Sequence, residues 1–415
     1  MWKGVIFGSF WVFLTQLGAW LAGRRLPYSW YYAIDGDRRE QHLWRLRTTG
    51  LQSLADLRTW KEGTQASEGP LFANPRAREL CVGILSHSSG MERRLGETVG
   101  SLLARTQRLM EDRVQITIFN AEDSPSSHYE AMALKDLLNV ENLQYPPDLP
   151  TPAELLGRPP KIKKMLDYAT ALRMLEGKRC KRYVVLEDGA IAATDWAKKI
   201  LQFAGGNSGK KIAVVRMMAN LDEVRFSWRE LGDFTLISAL AAVMTIVVWV
   251  ASAYLLSLFS HAWHQGVLYC SPLVVAVLFI NFYVASLTLG KPNMPPMRAF
   301  DKLKPIDSRF LAVANFYPDE KSLTGYRSVL EEHLMGARHH NAYSTTDTFD
   351  RLYPRLVQKF ARETGETYEV GISVPSLFQN TVGEDGDVAK IPMSFDFGQD
   401  QLPIRFSPHA FQGSS

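Results

Sequence analysis

The sequence predicts an α/β fold whose mostly parallel sheet, covered by helices on both faces, is interrupted by a transmembrane helical hairpin. Three observations carry this. Short buried strand-like runs alternate with helical stretches over residues 80–216. Two long uncharged tracts, Phe234 to Ser260 and Gly266 to Gly290, then break the pattern. It resumes after them, and neither half looks complete alone.

In chain order, Gly4 to Gly23 is an uncharged tract near the N-terminus. At about 1.5 Å per residue, some 20 residues cross a hydrocarbon core of roughly 30 Å. A cleaved signal peptide is the alternative, and the apolar length favours an uncleaved signal anchor over residues 1–23. A basic and aromatic stem or linker occupies 24–78, helical around Arg38 to Trp60 and Gly/Ser/Glu-rich from Lys61 to Pro75. The folded domain divides into 79–233 and 291–415, on either side of the hairpin at 234–290. Trp249, Tyr254, Trp263 and Tyr269 lie within the hairpin or near its ends, as interfacial anchors do.

Leu80 to Ser86 reads as a buried strand and Glu92 to Met110 as a helix. Val114 to Phe119 is a strand, Tyr129 to Leu138 a helix, and Lys161 to Glu176 a helix after a Pro-rich loop. Tyr183 to Glu187 is a strand, Thr194 to Phe203 a helix, and Lys211 to Arg216 a strand. Past the hairpin, Arg309 to Ala314 and Tyr368 to Val374 read as strands. Asp319 to Met335 and Thr346 to Glu363 read as helices. The tail from Thr381 is polar, with a short apolar stretch near Ile391 to Phe397.

The net charge of +4, from 47 basic and 43 acidic residues, lacks the concentrated basic face of a nucleic-acid binder. Lys and Arg flanking the apolar tracts favour a cytosolic domain by the positive-inside rule, but long domains translocate largely regardless of charge. Cys81, Cys180 and Cys270 form neither a disulfide framework nor a metal pattern; a Cys81–Cys180 pairing is left open.

The stretch Tyr183 to Ala190 ends a buried strand in Glu187 and Asp188, followed by Gly189. Ligands of open α/β sheets collect at such C-terminal strand ends. Adjacent carboxylates there suit a hard divalent cation that also grips a diphosphate; a helix N-cap role for Asp188 or Asp195 is the plainer alternative. Ser86 and His87 end the first strand. Asn120 and Asp123 end the second, where capping the next helix is the rival role. Lys163 or Lys164 supplies a point charge for a phosphate.

Several short motifs carry a resemblance: Val82-Gly83-Ile84, Gly96 to Leu103 (GETVGSLL), Lys163 to Leu172 (KKMLDYATAL), Tyr183 to Ala190, Thr346-Asp347-Thr348 and Val374 to Gln379 (VPSLFQ). With the hairpin between the acidic strand and the last two, the chain resembles the Golgi GPI-anchor side-chain N-acetylgalactosaminyltransferases (the post-GPI-attachment factor family) and their fungal relatives. More distantly, it is similar to the type IV branching N-acetylglucosaminyltransferases. The resemblance implies a GT-A-like domain in a multi-pass Golgi membrane protein, with the domain lumenal. It implies an inverting, metal-dependent transfer of a hexosamine, GalNAc foremost, from a UDP-sugar to the glycan of a GPI anchor. Mn²⁺ or another divalent cation would sit on Glu187 and Asp188, and Asp347 would be the general base, with Glu331 and Glu332 in reserve. Ser86, His87, Asn120, Asp123, Lys163, Gln379 and Asn380 would line the donor. Membrane lipids are the other expected partner.

Two positions depart from the family pattern. Gly189 stands where a third acid is usual, and Asn380 stands where His is usual. A catalytically degenerate relative, or a transferase acting on another lipid-linked acceptor, are the competing expectations.

Overall fold

The computed structural model describes residues 2–23, 79–87, 94–104, 113–155, 160–193, 196–201, 211–217, 231–259, 271–289, 314–340, 349–374, 378–380 and 405–406, and scattered positions between 48 and 70. Asp347, the hairpin tip and the apolar stretch near Ile391 lie outside them, while of the helix expected around Arg38 to Trp60 the positions 48, 51, 52, 54, 55, 58 and 59 are described and are helical.

The chain divides into two compact units, Met1–Ile34 with Leu221–Ala299, and Asp35–Asn220 with Phe300–Ser415. The first holds α1 (Trp2–Gly23), α6 (Leu231–Phe259) and α7 (Ser271–Leu289). Ala241, Leu278 and Phe282 form a small core among them, with Trp11 packed against it. Gln16 Nε2 donates to Asn281 Oδ1 at 2.7 Å, a polar contact within the bundle. Over the described positions alone, no helix is long and apolar enough to cross a membrane. Taken whole, α6 is 29 residues with Asp233 as its one charge, and α7 is 19 residues with none.

The second unit is an α/β domain. Its strands are β1 (Leu80–Ser86), β2 (Val114–Asn120), β3 (Asn139–Asn142), β4 (Tyr183–Glu187), β5 (Ala190–Ala192) and β6 (Lys211–Arg216), then β7 (Ala314–Tyr317), β8 (Tyr368–Val374), β9 (Phe378–Asn380) and β10 (Arg405–Phe406). Its helices include α2 (Arg94–Ala104), α3 (Tyr129–Leu134), α4 (Pro160–Glu176), α5 (Trp196–Leu201), α8 (Glu320–His340) and α9 (Phe349–Thr364). The main sheet runs β10-β8-β6-β7-β4-β1-β2-β3, and β5 pairs with β9 in a separate ribbon. The pairs β1–β2, β1–β4, β2–β3 and β6–β8 are parallel. β7 is antiparallel to both β4 and β6, and β10 to β8, so the sheet is mixed.

Strand alternation explains the two cores. Leu80, Val82 and Ile84 of β1, with Val184 and Leu186 of β4, pack with α2, α3 and α5 on one face. Cys81 and Leu85, with Tyr183 and Val185, pack with α4, α8 and α9 on the other. Gly83 lies between Cys81 and Leu85, and a Cβ there would come within 2.7 Å of the Phe119 ring. The missing side chain is the space that ring fills. On the second face Cys81 and Cys180 are joined in a disulfide with Cα atoms 5.8 Å apart, settling the pairing that the sequence left open.

The expected strand Arg309 to Ala314 is observed only at its end. β7 begins at Ala314, and residues 309–313 lie outside the description. The short β3, β5 and β9 are not foreseen at all.

Candidate functional site

β1, β2 and β4 are neighbours and parallel, so their C-terminal ends meet at one edge. Ser86 pairs in register with Asn120, and Leu85 with Glu187. Ser86, His87, Asn120, Glu187 and Asp188 therefore converge there, as the sequence predicts.

Their contacts fall into two clusters. Asp188 Oδ2 accepts from the Ser86 hydroxyl at 3.0 Å and from the His87 backbone N–H at 3.3 Å. Ser86 Oγ lies 2.8 Å from Nε2 of His128, a residue only 2 % exposed. His128 Nδ1 accepts from the Ala131 backbone N–H at 3.4 Å and so N-caps α3. That assigns the proton to Nε2, which donates to Ser86, which donates to Asp188. Burial holds the His128 imidazole below its ordinary pKa, consistent with a neutral ring.

The second cluster lies against α4. The carboxylate of Asp167 is fully buried. It accepts from His87 Nε2 at 2.8 Å, Tyr145 OH at 2.8 Å and Lys163 Nζ at 3.2 Å. Lys163 also donates to Ala121 O at 3.0 Å and lies 3.5 Å from Asp123. It thus ties α4 to the end of β2. The nearby charge of Lys164, by contrast, acts on Glu187.

Glu187 is half-buried, and its carboxylate makes no hydrogen bond or ion pair among the described residues. Burial raises its carboxyl to about 7, against the opposing pull of Lys164 and His87. It is the acidic group of this edge best suited to a positive partner.

Behind the acidic pair, α2 pins the β4–β5 turn. Thr98 Oγ1 accepts from the Gly189 N–H at 2.8 Å, and Ser101 Oγ accepts from the Ala192 N–H at 3.0 Å. Gly189 has φ 87°, a left-handed conformation that glycine adopts without strain. A side chain at this position would be strained by the turn.

Other expected residues have structural duties. Asn120 is buried, donating to Pro125 O at 3.0 Å and accepting from the Glu122 N–H at 3.1 Å, so it folds its own loop. Asp123 is 66 % exposed beside Lys163 and does not cap α3; His128 does. Glu331 is bound to Arg173 and Arg327, and Glu332 to Lys359, so both belong to ion pairs between helices. Gln379 and Asn380 lie on β9, which pairs antiparallel with β5 just beyond Gly189. Asp347 lies outside the described residues.

Among the described residues no three His, Cys, Asp or Glu side chains converge as a metal cage. The two strand-end carboxylates fit a cation that takes its remaining ligands from phosphates and water, the usual manner of Mg²⁺-type sites. His128, Asp167, Thr98 and Ser101 are the residues that sequence reasoning missed. The signal for Asp167 was its i,i+4 spacing from Lys163. No protein-family model matches the chain, and no curated protein matches it.

Proposed function

We propose that this edge is the donor site of a membrane-bound, inverting glycosyltransferase of GT-A-like fold, taking a hexosamine, GalNAc foremost, from a UDP-sugar. The acceptor is the glycan of a GPI anchor, and the α/β domain faces the lumen of the Golgi. The observation that carries the reading is the convergence of Ser86, His87, Glu187 and Asp188 at adjoining parallel strand ends. Crevices at such ends receive ligands in open α/β sheets.

Glu187 and Asp188 would hold Mn²⁺ or another divalent cation, whose chemistry is to neutralise the charge of the departing diphosphate. Asp188 is fixed by Ser86 and the His87 backbone, while Glu187 releases its proton as positive charge arrives. Lys164 adds positive charge on the same side. The Cys81–Cys180 disulfide supports a lumenal domain, because such bonds persist in oxidising compartments. The long apolar α6, with a single charge near its start, and the uncharged α7 support membrane spanning and would keep the domain near lipid-anchored acceptors.

The test is calorimetry and donor hydrolysis on purified full-length protein with Mn²⁺ and a panel of UDP-sugars. Binding and turnover of a UDP-hexosamine is the expected result; neither binding nor hydrolysis of any donor overturns the proposal. Gly189 favours a second reading, a catalytically degenerate relative, whose mark would be UDP affinity indifferent to Mn²⁺.

A further inference from the structure

We propose that the groove between α8 and α9 binds a phosphoethanolamine group. The site is separate from the strand-end edge, and the proposal does not depend on the transferase reading above.

The groove has a volume of about 500 Å³, the size of a small-ligand site. α8 and α9 approach closely at Gly325, where a Cβ would collide with the Phe360 ring. Val329, one turn further along α8, is nearly buried and lines the groove.

The groove is rich in charge, and part of that charge is already spent. Lys359 Nζ donates to Glu332 Oε1 at 2.5 Å and to Ser328 Oγ at 2.6 Å, so the lysine and the glutamate neutralise each other. Arg355 Nη1 lies 3.4 Å from His333 Nδ1. A guanidinium has only donors, so Nδ1 is the acceptor and that imidazole is neutral. Two exposed arginines, Arg355 and Arg362, and the exposed carboxylate of Glu363 remain. Arg362 and Glu363 make no hydrogen bond or ion pair among the described residues, and Arg355 keeps most of its five donors.

Arg355, Lys359 and Arg362 follow the i, i+4, i+7 spacing of a single helix face. Arg355 and Arg362 are two turns apart, about 10 Å along the axis, a span that two long side chains can close upon one group. Guanidinium forks match phosphate oxygens in pairs. Glu363 stands one turn beyond Lys359 and would repel a bare anion held there. A bare cation would in turn be repelled by the two arginines. A zwitterion satisfies both signs, with its phosphate on Arg355 and Arg362 and its ammonium on Glu363. A primary ammonium brings three N–H donors to that carboxylate, and a quaternary one brings none.

The experiment titrates purified full-length protein, in phosphate-free buffer, with O-phosphoethanolamine, phosphocholine or inorganic phosphate, and follows ³¹P line broadening of the ligand. Hydrogen bonds between charged groups change affinity by about tenfold or more. O-phosphoethanolamine is expected to bind about tenfold more tightly than either other probe. Arg355→Ala and Arg362→Ala should each weaken it about tenfold. Glu363→Gln should bring it level with phosphocholine while leaving inorganic phosphate no weaker. All three positions are exposed, and an unchanged melting temperature would confirm that each variant is folded. Displacement by sn-glycero-3-phosphoethanolamine would identify the ligand as a diester of the kind lipids carry, and failure of that displacement would identify a free monoester. Wild-type protein that binds none of the probes, equal affinity for O-phosphoethanolamine and inorganic phosphate, or wild-type binding by the arginine variants would each overturn the proposal and leave the transferase reading untouched.

Discussion

Replacing Glu187 by Gln measures the cost of holding a carboxylate at this strand end. Burial raises its carboxyl from an ordinary 4.5 to about 7. At ~1.4 kcal/mol per tenfold in the proton equilibrium, the whole rise corresponds to about 3 kcal/mol. Glu187 still meets solvent at its rim, so about 3 kcal/mol is a ceiling and roughly 1–2 kcal/mol the expectation after screening. The sign follows from proton counting. Below pH 4.5 the group is protonated folded and unfolded, and it costs nothing. Between 4.5 and about 7 the folded protein binds more protons than the unfolded chain, so stability falls as pH rises, and the full cost applies above pH 7. Denaturant unfolding of wild type and Glu187→Gln, without divalent cations, at intervals from pH 4.5 to 8.5 isolates this group by difference. The variant is expected to match wild type at the acid end and exceed it by roughly 1–2 kcal/mol at pH 8. A difference that stays flat across the window, or grows toward acid, would refute the reasoning. Should Mn²⁺ bind here, it must displace the Glu187 proton below pH 7, so wild-type affinity should rise with pH through that range and then level off.

Two further outcomes follow from the same edge and the core behind it. Gly189→Asp restores the acid usual in the resembled family but puts a side chain at φ 87°. It is expected to cost about 1–3 kcal/mol, read as a lowered melting temperature; an unchanged melting temperature would show that the turn relaxes freely. The Cys81–Cys180 bridge closes a separation of 99 residues, and Cys81→Ser is expected to cost about 2–4 kcal/mol. Alkylation of unreduced protein should leave these two thiols unlabelled, and labelling of both in protein from native membranes would rule the bridge out.

Legibility from sequence followed burial. β1, β4 and β6 stand out because a central strand, buried on both faces, shows a continuous apolar run. β5 and β9 have three residues each, too few to show a period, and exist because each supplies the other's hydrogen bonds. The strand-end acids and Ser86 were visible for the same reason as β1 and β4: the apolar run stops at them. The groups that orient them were not. Asp167 looks like surface charge in the middle of a helix until β1 brings His87 against it. His128 is an N-cap outside the usual Ser, Thr, Asp and Asn set. Thr98 and Ser101 are unremarkable hydroxyls on α2 until their acceptors meet the amides of a turn some 90 residues later. Partners that distant in sequence leave no local pattern.

The place of β7 in the sheet has a consequence for biosynthesis. β7 lies between β4 and β6, yet it is made only after α6 and α7. When the ribosome has released residues 1–217, β3, β2, β1 and β4 can zip together, but β6 has no neighbour to join. The exposed rim of β4 must wait, with its amides unpaired, until almost a hundred more residues have been synthesised. Closure of the sheet is therefore a late, long-range event of the slow kind expected for non-local pairing. Nascent chains stalled before Ala314 should be the species that chaperones hold, and lesions within β7 should reveal themselves first as poor yield.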